Sequence, residues 1–190
     1  MANVSFGTAY ANDIILAQKI FYKQDLGIVF QLLLTITTSS VGYGIAGIMR
    51  RFLVHPAAMI WPINLVSVTL LHAMHEKEED LDPTKYKEAP EWWYGALFLL
   101  MFVLSLVTVL AYPTEFTWWA FLIAIAFSTL MALPIGIIQA IKNLQIGLNV
   151  ITEFIMGYMQ PGKLLALMML KTYGYITASS ALGFVGDLKY

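Results

Sequence analysis

Long stretches of this chain carry no charged residue at all, among them those between Asp25 and Arg50, between Glu91 and Glu115, and between Glu115 and Lys142. Each is long enough to cross a hydrocarbon core, which takes roughly 20 helical residues. A segment of that kind has few places to go other than a bilayer. Once there, its backbone must satisfy its own hydrogen bonds, which leaves helices as the natural solution. The rest of the composition agrees. Of the 190 residues, 59% are hydrophobic and 12% charged, against about 45–50% and about 25% in soluble domains. A soluble enzyme and a disordered chain are both excluded.

The apolar segments read in order as follows. The first runs from 28 to 49 and stops at Arg50-Arg51. The second, 52 to 74, is interrupted by Pro56 and Pro62. Residues 75–93 form the one long polar stretch, a solvated loop. The third span, 93 to 112, is nearly pure Leu, Phe, Val and Met, and the fourth runs from 117 to 141. Trp92, Trp93, Tyr94, Tyr112, Trp118 and Trp119 mark the ends of these two, as interfacial aromatics do. A fifth segment, 143 to 159, contains Glu153, and a sixth, 164 to 185, contains Lys171. The expectation is an all-α, polytopic membrane bundle of about six helices, four strongly apolar and two weaker. It forms a single membrane domain over 1–190.

With alternating spans, the N-terminal side collects Lys19, Lys23, Lys77, Lys85, Lys87, Lys142 and Lys189, and the other side Arg50, Arg51 and Lys163. Cytoplasmic loops are enriched in Lys and Arg, so this count favours a cytoplasmic N-terminus, while the Arg50-Arg51 pair, which sits closest to a span, argues the other way. The net charge of −1 gives no basic footprint for nucleic acid. The absence of cysteine excludes disulfides and cysteine-held metals, and no cofactor is expected. His72, His75, Glu76 and Glu79 share a helical face, but in a wet charged loop they read as surface, so no metal site is assigned. Gly42, Gly44 and Gly47 look at first like a phosphate loop. With no preceding strand, close helix packing is the better reading.

Chemistry concentrates between Pro134 and Lys163. Prolines and glycines interrupt this stretch, and it carries amides at Gln139, Asn143, Gln145, Asn149 and Gln160. Gln145, Asn149 and Glu153 recur every four residues and line one face of a helix, with Gly157 extending it and Tyr158 beside it. A carboxylate at membrane depth is costly and normally faces a bundle interior or a water-filled cavity. Broken helices near the midplane are where transporters place their sites. Candidate residues for a substrate or proton pathway are therefore Glu153, Asn149, Gln145, Gln139, Asn143, Tyr158 and Lys171. The same residue types also serve plain helix packing, and Lys171 could snorkel.

Five stretches carry a family resemblance. They are residues 3–22, 42–66 (GYGIAGIMRRFLVHPAAMIWPINLV), 90–94 (PEWWY), 133–163 (LPIGIIQAIKNLQIGLNVITEFIMGYMQPGK) and 171–189 (KTYGYITASSALGFVGDLK). Together they closely resemble the fungal and plant oligopeptide transporter family. The resemblance implies a multi-pass protein, of the plasma membrane, that imports small peptides by proton symport. Some members carry glutathione or peptide-like metal chelates. Its partners would be the bilayer, small peptides and protons. Family members are several times longer, and residues 1–74 and 86–190 resemble regions that they separate by further helices. The loop between them thus looks like a junction across an internal deletion. The alternative is a non-transporting helical fragment, or a subunit that only packs against other helices.

Overall fold

A computed structural model of the chain describes residues 15, 16, 18–20, 23, 26–74, 90–112, 114, 116–144, 146–159 and 161–189. Among these, every regular element from Gly27 onward is helical. Helix α1 spans Gly27–Leu53, α2 Pro62–Met74, α3 Glu91–Ala111, α4 Trp118–Lys142 and α5 Asn149–Met159. Helix α6 (Leu164–Lys171), a π-helical turn (Thr172–Ile176) and α7 (Thr177–Leu188) follow without a break as one long helix. Helices α1, α3 and α4 are each long and apolar enough to cross a membrane. The composite helix from 164 to 188 reaches about 37 Å at 1.5 Å per residue, enough for a core of about 30 Å. The all-α membrane bundle is what forms.

Several buried hydroxyls within these helices are satisfied by their own backbone. Thr37, Thr38, Thr108, Thr152 and Thr172 each donate to the carbonyl one turn earlier, at 2.6–3.0 Å. This lets a polar side chain sit in an apolar helix without an exposed donor.

The second expected span does not form as one helix. Leu53 ends α1, residues 54–61 turn, and α2 begins only at Pro62. The prolines are the cause, since each lacks the N–H that would continue the ladder. Thirteen residues make a helix of about 20 Å, short of the hydrocarbon thickness. The turn is pinned at Trp61, which is buried and holds a left-handed φ of 48°. A bulky residue in that region is strained and persists only where its surroundings hold it. Here its amide donates to Ala140 O at 3.1 Å and its indole N–H to Leu53 O at 3.2 Å.

Helix α1 is the hub. A Cβ placed on Gly44 would meet the backbone and Cβ of Phe98 at 2.7–2.8 Å, and one on Gly47 would run into the Tyr94 ring. These contacts set α1 antiparallel to α3. A Cβ on Gly42 would meet Thr177 O at 2.8 Å and Ser180 Cβ at 2.9 Å, which sets α1 parallel to α7. The three glycines thus serve two seams. At the far end, the rings of Phe30 and Tyr112 lie 4.9 Å apart. Gly136 of α4 faces Leu53 and Leu182, so α1, α4 and α7 all end together.

This polarity corrects the alternating charge count. Only α1 crosses between Gly27 and Glu91 among the described helices, so Glu91 lies at the same end as Arg50 and Arg51. Lys142 and Lys189 lie there too, because they close α4 and α7. The count assumed that residues 52–74 cross the membrane, and the proline break removes that crossing.

The seam makes Gly44→Ala destabilising, because the added methyl meets backbone rather than a flexible side-chain tip. A loss of about 1–3 kcal/mol is expected, read as a lower thermal midpoint in detergent. Gly183→Ala, with nothing within 4 Å of the new Cβ, should be neutral or gain up to about 1 kcal/mol. Equal midpoints for the two variants would contradict the packing.

Candidate functional site

Helix α5 turns back along the composite helix and runs antiparallel to it. Thr152, fully buried, faces Gly174 of the π-helical turn, where a Cβ would meet the threonine Cγ2 at 3.1 Å. One residue on, Glu153 reaches Lys171: Nζ donates to Oε1 at 2.6 Å. The structure therefore joins two of the expected site residues, eighteen positions apart in sequence, in a direct ion pair. Lys171 is seven residues past Leu164, about 10 Å into the helix and about 25 Å from its other end. Charge at such depth is costly unless paired, and each group offsets the other's cost. The side chains remain 29% and 41% exposed, respectively, for Lys171 and Glu153. The pair lies on the outer flank of the bundle rather than inside it.

The other expected residues divide. Tyr158 is 83% exposed and lies against Phe154 with the rings tilted, their centroids 5.8 Å apart. It stands five positions past Glu153, about 140° round the helix, and does not join the pair. Gln145 lies outside the described residues. Asn149 opens α5, and Gly157 is exposed on it. Gln139 and Asn143 sit at the opposite level, where α4 closes. Asn143 takes a left-handed φ of 53°, and its amide donates to Gln139 O at 3.0 Å. Counted along the composite helix, this level is about 20 Å from Lys171. Gln139 and Asn143 therefore do not share a pocket with Glu153 here. The side-chain Oε1 of Gln139 is buried and accepts no hydrogen bond among the described residues. Such an oxygen costs about 1–3 kcal/mol until a donor reaches it. His75, Glu76 and Glu79 fall outside the described residues, as does the side chain of His72.

Two polar contacts were not foreseen. Asn64, buried at the start of α2, donates through Nδ2 to Asp187 Oδ1 at 2.9 Å. Lys189 Nζ donates to Val54 O at 2.7 Å and Pro56 O at 3.4 Å. Together they tie the proline turn to the end of α7. A cation on the last carbonyls of a helix also complements its dipole. Nearer the centre, Tyr173 is wholly buried on the π-helical turn. Its hydroxyl lies 3.4 Å from Thr37 Oγ1, and its ring sits edge-on to Phe121 at 5.0 Å. The sequence signal for the Lys189 contact was the spacing of Pro56 and Pro62, which ends α1 and frees its last carbonyls. An unwound helix end leaves carbonyls that need donors.

Comparison with known proteins places these helices. A sequence model of the family described as OPT oligopeptide transporter protein matches residues 1–82 and, separately, 79–190. The Sexual differentiation process protein isp4 of Schizosaccharomyces pombe is 24% identical over 392 residues, covering 100% of this chain and 50% of that protein. Oligopeptide transporter 1 of Arabidopsis thaliana is 46% identical over 106 residues, 55% of this chain and 14% of its own length. Glutathione transporter 1 of Schizosaccharomyces pombe is 45% identical over 104 residues, 55% of this chain and 12% of its own. The chain thus spans half of isp4 and a smaller part of the other two. No solved structure matches. Matched by the family model in both of its parts, this multi-pass membrane chain belongs to the OPT oligopeptide transporter family.

Proposed function

We propose that this chain supplies part of a proton-coupled importer of small peptides in the plasma membrane, with the Glu153–Lys171 pair as its central polar element. The observation that carries this reading is the pair itself: two opposite charges in contact at membrane depth, Glu153 on a short returning helix and Lys171 on the long composite one. A peptide's free termini are an ammonium and a carboxylate, and each can replace one partner of the pair. A proton on the Glu153 carboxylate releases Lys171 in the same way. Gln139, with its unsatisfied buried oxygen, and Asn143 offer amides of the kind that bind a peptide backbone, which carries donors and acceptors at every residue.

Two further observations bear on completeness. The alignment with isp4 runs over 392 residues against the 190 here, and the family model matches in two pieces that meet at residues 79–82. We infer that residues 1–74 and 86–190 correspond to regions that relatives hold apart with further helices. The outward position of the pair fits this, since added helices would cover the flank where it lies. The rival reading, a packing subunit without transport, draws on the same incompleteness.

The experiments separate these readings. In a transporter-deficient host, residues 86–190 of this chain replace the matching region of Oligopeptide transporter 1 of Arabidopsis thaliana, and uptake of labelled small peptides is followed against external pH. The graft should import. Glu153→Gln within it should lower uptake at least tenfold or flatten the pH profile, at unchanged membrane abundance. Uptake and pH profile both unchanged would assign Glu153 to structure. The 190-residue chain alone in liposomes should import at a small fraction of the graft's rate. In detergent, the double variant Glu153→Gln with Lys171→Gln should lose less stability than the sum of the two single losses. The expected coupling is up to about 1 kcal/mol for a pair this exposed. Strict additivity would contradict the ion pair.

A further inference from the structure

The packing fixes which described cations share an end of the bundle. Arg50 and Arg51 close α1, Lys142 closes α4 and Lys189 follows α7. Three contacts hold these helix ends level: Trp61 N to Ala140 O at 3.1 Å, Lys189 Nζ to Val54 O at 2.7 Å, and Leu53 against Gly136. The other end, marked by the Phe30–Tyr112 ring pair, holds Lys163 before α6 and, ahead of α1, Lys19 and Lys23. Four cations therefore stand against three, and the four include the Arg50-Arg51 pair at the very end of a span. Titratable groups that share the first end are His55 in the proline turn, Asp187 at the end of α7 and Glu91 at the start of α3. Acidic residues count little in setting orientation, whereas Lys and Arg close to helix ends count most.

We propose that the end bearing Arg50, Arg51, Lys142 and Lys189 faces the cytoplasm, so that Gly27, the start of α1, lies on the opposite side. This inverts the orientation that alternating spans imply. The physical cause is the proline break, which leaves α1 as the one described crossing before Glu91. Arg51 and Lys142 are exposed at the level where helices leave the hydrocarbon. There they meet the anionic headgroups that enrich the cytoplasmic leaflet. The proline turn and its Asn64–Asp187 and Lys189 ties thereby become cytoplasmic features. The Glu153–Lys171 pair lies nearer the opposite surface.

The chain contains no cysteine, so single cysteines report without background. The variants are Ala57→Cys and Leu144→Cys at the arginine end, and Thr117→Cys and Pro161→Cys at the other. Each full-length chain is made in yeast and recovered in sealed microsomes with their cytosolic face outward, then treated with a membrane-impermeant maleimide. Ala57→Cys and Leu144→Cys should label directly, and Thr117→Cys and Pro161→Cys only after detergent. The reverse pattern, or direct labelling at both ends, overturns the proposal. With Arg51→Gln and Lys142→Gln added, half or more of the Ala57→Cys chains should become protected. Complete labelling in that background would show that these cations do not set the orientation.

Discussion

Everything in this bundle is levelled by the approach of α1 to its two neighbours. Lipid tails are as apolar as leucine, so helices in a bilayer gain little by hiding apolar surface from lipid. They associate where backbones can come close. Gly44 and Gly47 admit α3, and Gly42 admits α7 from another side. Because these contacts fall at fixed positions, they fix the height of each helix as well as its proximity. The depth of Lys171, the meeting of Tyr173 with Thr37, and the gathering of the arginine end all follow from that registration.

A second constraint is the return of the chain from α4 to α6. Both helices run toward the arginine end, so residues 143–163 must travel the full depth backwards. An eleven-residue helix covers only about 16 Å of it, and glycines and Asn143 absorb the rest as non-helical backbone. Such backbone is tolerated at membrane depth only against protein or water. Thr152 against Gly174 supplies the protein side. The Glu153–Lys171 pair marks the polar side, at the level where the returning helix is exposed.

Much of this was legible. Charge gaps located α1, α3 and α4 to within a few residues, because a hydrocarbon slab imposes length directly on sequence. Arg50-Arg51, Tyr112 and Trp118 marked real helix ends, and the glycine triplet was read correctly as packing. Residues 52–74 were hydrophobic enough to suggest a span, yet Pro56 and Pro62 decided against it, and the side assignments of Lys142, Lys163 and Lys189 inherited that error. The candidate residues were found as a composition, not as a place. Periodicity set Glu153 beside its helical neighbours. Only the antiparallel return brings it to Lys171 and leaves Gln139 about 20 Å away. Long-range pairs such as Asn64 with Asp187 have no local pattern at all, since neither residue carries any trace of the other.

The central claim is that α5 folds back on the π-helical turn and so builds the ion pair. Thr152 and Gly174 test it directly, because a Cβ on Gly174 would stand 3.9 Å from that of Thr152, inside the range of disulfides. In this cysteine-free chain, Thr152→Cys with Gly174→Cys in native membranes should close to an intramolecular disulfide under mild oxidation. The closure would be seen as loss of both sites for a thiol-reactive mass tag and recovery on reduction. Two freely tagged thiols after oxidation, or cross-linking only between chains, would mean that α5 lies elsewhere.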